Sequence, residues 1–173
     1  LSHAESNKGT WTFVIETYLA KKGLFVKNIE PIDYKQLYEE GVEYFYKVFG
    51  KQTADYYKNK TNILSVIKYI PEFLKHVQHE TRRATLDEIR SFLDDEYLVL
   101  AEVNSAILNS NSGFDLHFVL IYKTDGKYLW LHDPGLPPMK SRKISVQEFE
   151  RAFAYEGANG GIAIVKRAKT FVL

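Results

Sequence analysis

The chain has 173 residues, which is enough for one domain with a sizeable hydrophobic core. Its 23 lysine and arginine residues nearly balance 22 aspartate and glutamate residues, and the basic residues are scattered, which argues against a nucleic-acid partner. No apolar run approaches the roughly 20 residues that span a bilayer, and no signal-peptide pattern opens the chain, so we expect a cytoplasmic protein without membrane insertion.

Two features of the sequence limit its chemistry. It contains no cysteine, so these 173 residues cannot form a disulfide, a thiolate metal site or a thiol nucleophile. It begins with Leu1 rather than methionine, which predicts that upstream sequence has been cut away, processed off or left out. We therefore expect any thiol chemistry to depend on residues outside this sequence.

The first element is predicted to be a helix. Apolar side chains recur at helical spacing over residues 11–22, Thr10 can cap the helix, and Gly23 ends it after two lysines. The stretch LFVKNIE, residues 24–30, then predicts a short strand.

Helical patterns continue over the next 50 residues. Asp33 is predicted to cap a tyrosine-rich helix that runs to about Gly50. From Lys51 to about Glu80 the pattern stays helical, with Pro71 in the first turn of a new helix.

Two short helices are predicted from their first turns. The stretches TLDE (residues 85–88) and SVQE (residues 145–148) both have the spacing of a capping box. They predict helices over residues 86–94 and 146–154.

Strands dominate the rest of the chain. Residues 97–103 predict a buried strand, residues 114–135 a hairpin, and GIAIVKR (residues 161–167) a last strand. Helices followed by strands that lie close in sequence and pair mostly antiparallel predict an α+β fold.

The hairpin places a histidine near the start of its first strand and an aspartate at the end of its second. A three-residue loop, Thr124 to Gly126, would pair His117 directly with Asp133 on one face. That register also predicts two aliphatic pairs on the same face, Val119 with Leu131 and Ile121 with Leu129. Aromatic residues then collect on the other face.

A carboxylate beside an imidazole can orient the ring and fix its tautomer for catalysis. Pro134 favours this geometry because it ends the strand at Asp133 and leaves the carboxylate at a sheet edge. The alternative is a structural hydrogen bond that satisfies two polar groups in a core, and spacing alone does not decide between them.

The hairpin and its flanks resemble a known family. The stretch FDLHFVLIYKTDGKYLWLHDPGLPP, followed by RKISVQEFERAF, resembles the second half of the bacteriocin-processing (double-glycine leader) cysteine peptidase family of the papain-like superfamily. Members show a Gly-His-Phe-Val strand, a hydrophobic hairpin, then Asp-Pro-Gly and a Ser-x-x-Glu-Phe helix. The upstream stretches GTWTF, LAKKG and LAEVNSAIL resemble its stand-alone branch, so the likeness covers most of the chain.

The resemblance implies a papain-like fold in a single domain, residues 1–173, that is incomplete at its N-terminus. It implies a bacterial peptidase or amidase in which His117 activates a cysteine thiol, Asp133 orients His117, and a peptide or amide is the substrate. No metal or organic cofactor is implied. The chain departs from the pattern at Leu116, where the family commonly has glycine.

A larger departure is that the family's nucleophilic cysteine, its helix and the oxyanion-hole glutamine are not in this sequence. These residues alone are therefore predicted to be inactive. The alternative is a peptidase-like module that has lost the thiol and binds peptides or a partner, as exporter-attached domains of this family are thought to do. Without the nucleophile helix, the aliphatic face is predicted to be uncovered. An upstream segment or self-association would then cover the His117 cleft.

Three other polar residues are of a type that could form a site. Asn104 follows a predicted buried strand and is a candidate substrate-binding residue, although capping the next loop is an equal alternative. His76 and His79 precede Glu80, but their spacing does not match a zinc-protease helix, so we predict two surface histidines at a charged helix end.

Overall fold

The computed structural model describes residues 8–135, 137–154 and 160–167. The described residues divide into two compact units, the first with residues 8–26, 32–79 and 167 and the second with residues 27–31, 80–135, 137–154 and 160–166. That the whole chain forms one peptidase-like domain stays a prediction.

The first unit is helical. Its helices are α1 (Phe13–Lys21), α2 (Tyr34–Glu40), α3 (Glu43–Lys60), the single turn α4 (Ile63–Val66) and α5 (Ile70–His76). Asp33 caps α2 as predicted, because its Oδ1 accepts the Gln36 N–H at 2.9 Å. The predicted end of the tyrosine-rich helix near Gly50 is confirmed, because this glycine has a non-helical φ of 75° that divides α3 into two helical segments. The predicted helix is also interrupted earlier, at Gly41, where α2 ends.

Aromatic rings fill the core of this unit. Phe13, Tyr34, Phe45 and Phe73 are at most 1% exposed. The Tyr34 and Phe73 ring centroids lie 4.7 Å apart, and those of Phe45 and Tyr57 lie 4.9 Å apart. The tyrosine-rich stretch therefore packs a core, as half-polar aromatic side chains commonly do.

The second unit is built on a sheet. The strands are β1 (Leu24–Glu30), β2 (Gln78–Thr81), β3 (Leu98–Asn104), β4 (Leu116–Thr124), β5 (Tyr128–Asp133), β6 (Met139–Ser145) and β7 (Ile162–Arg167). The first residues of β1 and β2 and the last residue of β7 belong to the first unit. The order in the seven-stranded sheet is β2-β1-β7-β3-β4-β5-β6. Strand β3 pairs antiparallel with β4 and β7, and β5 pairs antiparallel with β4 and β6. The α+β class is therefore confirmed.

Two amphipathic helices cover one face of this sheet. Helix α6 (Leu86–Asp94) contacts β3 and β4, and α8 (Val146–Phe153) contacts β3, β5 and β6. Between them in the chain, the single turn α7 (Ser105–Leu108) follows β3. Beneath them lie aliphatic side chains that are at most 1% exposed: Val119, Ile121, Leu129 and Leu131. The expectation that this face would be uncovered is wrong, because the two helices already remove it from water. Among the described helices, none combines the length and apolar character needed to cross a bilayer.

Both predicted capping boxes are present. The Thr85 hydroxyl accepts the Glu88 N–H at 3.2 Å while the Glu88 carboxylate accepts the Thr85 N–H at 2.9 Å. Ser145 and Glu148 repeat this arrangement at the start of α8, with distances of 3.2 and 2.9 Å. These reciprocal bonds satisfy N–H groups that have no partner inside the helix.

Arg82 forms additional hydrogen bonds to the Glu88 carboxylate of the first capping box. Its guanidinium donates to the two Glu88 carboxylate oxygens at 3.0 and 2.6 Å. The hydrogen bond from Arg82, followed by those from Thr85, lowers the pKa of Glu88 to about 2.

We expect Glu88→Gln to lower the free energy of unfolding by about 1 kcal/mol at pH 7, since solvent screens this partly exposed pair. The folded-state pKa lies below the unfolded value of about 4.3, so the contribution is complete above about pH 5. It is lost as the pH falls toward 2. Urea denaturation of both proteins from pH 7 to pH 3 measures this. Glu148→Gln is the matched control and should cost less, because among the described residues Glu148 is hydrogen-bonded by Ser145 and by no arginine. An equal loss in both variants would contradict the role of Arg82.

Candidate active site

The hairpin between β4 and β5 has a different register from the predicted one. Ile121 pairs with Leu131 and Thr124 pairs with Leu129, with a shift in register around Tyr122. The predicted pairing of His117 directly with Asp133 is therefore wrong.

The turn is also displaced by one residue. It runs from Asp125 to Lys127, and Thr124 is the last residue of β4. The Asp125 carboxylate accepts the backbone N–H groups of Lys127 at 3.0 Å and of Tyr128 at 2.7 Å. Gly126 has a φ of 84°, which favours glycine there.

His117 and Asp133 nevertheless lie on one face and touch. Because Ile121 pairs with Leu131, the two residues are diagonal neighbours on that face rather than direct partners. The His117 Nε2 atom lies 2.8 Å from Asp133 Oδ1. The predicted contact is thus present, reached through a different register.

Asp133 is a buried carboxylate with three donors around it. Its side chain is 5% exposed. Oδ1 accepts the Gly135 N–H at 3.0 Å in addition to the His117 bond, and Oδ2 accepts from Arg142 Nη1 at 3.2 Å. Burial alone would raise the pKa of Asp133, but the Gly135 hydrogen bond, the His117 bond and the charge of Arg142 outweigh it and lower the pKa. Asp133 is therefore ionised at neutral pH.

Gly135 lies against the pair. A Cβ atom at this position would be 3.0 Å from Asp133 Oδ1 and 3.6 Å from His117 Nε2. Since 3.0 Å is closer than side-chain carbons normally approach, a larger residue would displace the carboxylate. Local geometry therefore explains the sequence Asp-Pro-Gly. Pro134 ends the strand at Asp133, and Gly135 leaves room for the Asp133 side chain.

One of the two ring nitrogens of His117 has no hydrogen-bond partner among the described residues. Its side chain is 22% exposed, and Asp133 is its sole hydrogen-bond partner within residues 8–135, 137–154 and 160–167. A neutral ring bonded to an ionised carboxylate through Nε2 carries its proton there, which leaves the Nδ1 lone pair to accept a proton. An oriented imidazole with an unbonded ring nitrogen has the geometry that general-base catalysis requires. That an open cleft faces Nδ1 stays a prediction.

Arg142 was not foreseen as part of this site. Its side chain is 17% exposed. Besides Asp133, its guanidinium donates to Asn109 Oδ1 at 2.7 Å and to the Leu108 carbonyl. Its position in the sequence, beside Lys143 in a polar stretch, does not indicate these contacts, because the acceptors lie in two distant segments, at residues 108–109 and 133.

Asn104 ends β3 and is fully buried. Its Oδ1 accepts the N–H groups of Ala106 at 3.0 Å and Asp115 at 3.2 Å, and its Nδ2 donates to the Gly113 carbonyl at 3.1 Å. These bonds favour the capping alternative. A role in substrate binding stays a prediction.

The two histidines of HVQHE lie in different environments. His76 ends α5 and its Nε2 lies 3.0 Å from Glu72. His79 lies in β2 and its Nε2 is 2.8 Å from the Ile32 carbonyl, so the prediction of a helix-end surface residue is wrong for His79. The part of the chain that the structure describes contains no group of three or more candidate metal ligands.

No protein-family model matches this chain, and no curated protein matches it. The resemblance to the bacteriocin-processing peptidases therefore stays a prediction. What the described residues provide is a buried, ionised carboxylate that holds one nitrogen of a half-buried imidazole.

Proposed function

We propose that this chain carries the histidine and aspartate of a papain-like Cys-His-Asp peptidase or amidase site, with the thiol supplied by residues other than these 173. The observation that supports it is the 2.8 Å contact of His117 Nε2 with a buried Asp133, which leaves Nδ1 unbonded among the described residues.

The proposed reaction is acyl transfer. His117 Nδ1 takes the proton of the cysteine S–H, and the thiolate attacks the carbonyl carbon of the peptide or amide. The imidazolium returns that proton to the leaving amine, which departs and leaves a thioester. Water, deprotonated by Nδ1, then attacks the thioester carbonyl and releases the acid and the thiol.

Asp133 has a distinct part in these steps. It stays ionised because its pKa is lowered, so it stabilises the imidazolium that forms when His117 accepts a proton. It also keeps the ring turned so that Nδ1, rather than Nε2, meets the reacting groups.

A peptide-binding module is the second candidate. It is supported by the lack of any cysteine in the sequence. In this case the surface beside His117 would hold a peptide without cleaving it, and His117 would act as a hydrogen-bond partner rather than a base.

Any coding sequence upstream of Leu1 would separate these candidates. We expect the chain joined to that sequence to contain a cysteine after a glutamine, to hydrolyse peptide or amide substrates, and to react with iodoacetamide. His117→Ala should lower kcat/KM by about 10²–10⁴-fold, the usual contribution of a general acid–base residue, and slow thiol alkylation, because the thiolate loses its cationic partner.

His132→Ala is the matched control, since His132 lies on the other face of the same hairpin, 4.8 Å from the Tyr122 ring. It should retain activity. Hydrolysis by the 173-residue chain alone would refute the thiol mechanism. Peptide binding by calorimetry, with no hydrolysis and no upstream cysteine, would establish the binding module instead.

A further inference from the structure

Arg142 connects three segments of the second unit. It projects from β6 with a side chain that is 17% exposed. Its guanidinium reaches Asp133 Oδ2 at 3.2 Å, Asn109 Oδ1 at 2.7 Å and the Leu108 carbonyl. A planar guanidinium with five N–H donors can bind acceptors from two distant segments at once.

We propose that Arg142 is the positioning residue of the candidate site, which fixes the Asp133 carboxylate and ties it to the segment that leads into β4. Its importance for catalysis rests on the proposed function, whereas its hold on Asp133 does not.

The carboxylate needs such a constraint. The terminal torsion of an aspartate is broad and roughly two-fold, so one held oxygen does not fix the plane of the group. Oδ1 is shared by Gly135 and His117, and Oδ2 is held by Arg142. A charge-assisted bond on the second oxygen turns the first toward the imidazole.

The same guanidinium fixes the connection between β3 and β4. Asn104 binds both ends of this connection through Ala106, Asp115 and Gly113. Arg142 holds its middle at residues 108–109. Because β4 begins at Leu116, beside His117, the arginine restrains both members of the pair through one side chain.

The test is the exchange of the His117 Nε2–H proton with water, measured by NMR on the 173-residue chain. In Arg142→Met we expect this exchange to be about tenfold faster than in the wild type, because a mobile carboxylate protects the proton less. Arg142→Lys retains the charge but cannot span the three acceptors, and Asn109→Ala removes one link, so both should give smaller increases.

Lys143→Met is the matched control. It removes a like charge from the adjacent residue, whose ammonium lies 4.0 Å from the Tyr128 ring centroid on the other face. It should leave exchange at the wild-type rate. Exchange in Arg142→Met within twofold of the wild type would overturn the proposal. If Arg142→Met fails to fold, wild-type exchange in both Arg142→Lys and Asn109→Ala would overturn it.

This outcome is independent of the proposed function. Faster exchange in Arg142→Met without hydrolysis in any form of the protein would refute the peptidase and leave the positioning role intact. His117-dependent hydrolysis with an unchanged kcat/KM in Arg142→Met would refute the positioning role in catalysis.

Discussion

Asp133→Asn is expected to lower the free energy of unfolding by about 2–3 kcal/mol at neutral pH, because it leaves Arg142 as a nearly buried cation without its counter-charge. The wild-type carboxylate is 5% exposed and the guanidinium 17% exposed, so water cannot replace the lost partner fully. The asparagine amide also presents two N–H donors in a pocket that already contains donors from Gly135 and Arg142.

The pH dependence of this difference follows from the lowered pKa of Asp133. Burial opposes the lowering, and the bonds from Gly135 and His117 together with the charge of Arg142 outweigh it. The folded-state pKa is below the unfolded value of about 3.9. The contribution of the ionised group is thus present above about pH 5 and is lost as the pH falls through the folded-state pKa. Urea denaturation at pH 7, 5, 4 and 3 should show the two proteins converging only at the acid end.

Asp87→Asn is the matched control for this experiment. Asp87 also accepts a hydrogen bond from an arginine, Arg90 at 3.0 Å, but its side chain is 89% exposed. An exposed pair contributes little to stability, so this variant should unfold almost as the wild type does. Equal losses in the two variants, or a difference that grows toward acid pH, would contradict the environment described for Asp133.

Local signals were enough to predict several elements. The capping residues of α2, α6 and α8 could be read from single side chains, and β1 begins and ends at the predicted residues. Strands β2 and β6 were missed. Their sequences, QHET and MKSRKIS, do not alternate apolar with polar residues, and pairing with a neighbouring strand overrides that weak preference.

The candidate site was predictable only in part. His117 and Asp133 lie on the same face because side chains alternate between the two faces along each strand of the hairpin. A change of two residues in the pairing register leaves every side chain on its predicted face. Nothing in the sequence indicates the shift in register around Tyr122, and the predicted register of the hairpin was therefore wrong. Arg142 could not be foreseen because its partners at residues 108–109 and 133 meet it only in the folded chain.

Phe149→Ala is expected to lower the free energy of unfolding by about 3–5 kcal/mol, because it opens a cavity beneath the helix that covers the aliphatic face. Phe149 is fully buried, and its ring centroid lies 5.4 Å from that of Phe153 in a stacked arrangement. Its helix, α8, contacts β3, β5 and β6. The sequence predicted this helix, but not that it would cover the residues expected to be uncovered. Urea denaturation at pH 7 gives the change directly.

Gln147→Ala on the same helix is the control that separates the loss of packing from the change in helix propensity. Alanine is the better helix former at position 147 as well as at position 149, but Gln147 is exposed and its substitution removes no core packing. It should leave stability nearly unchanged. Phe149→Leu should recover much of the loss, because leucine refills most of the volume. A loss in Phe149→Ala of less than about 1 kcal/mol would mean that α8 is not seated on the sheet. The aliphatic face would then be available to another segment, and the earlier expectation of an uncovered surface beside His117 would regain its support.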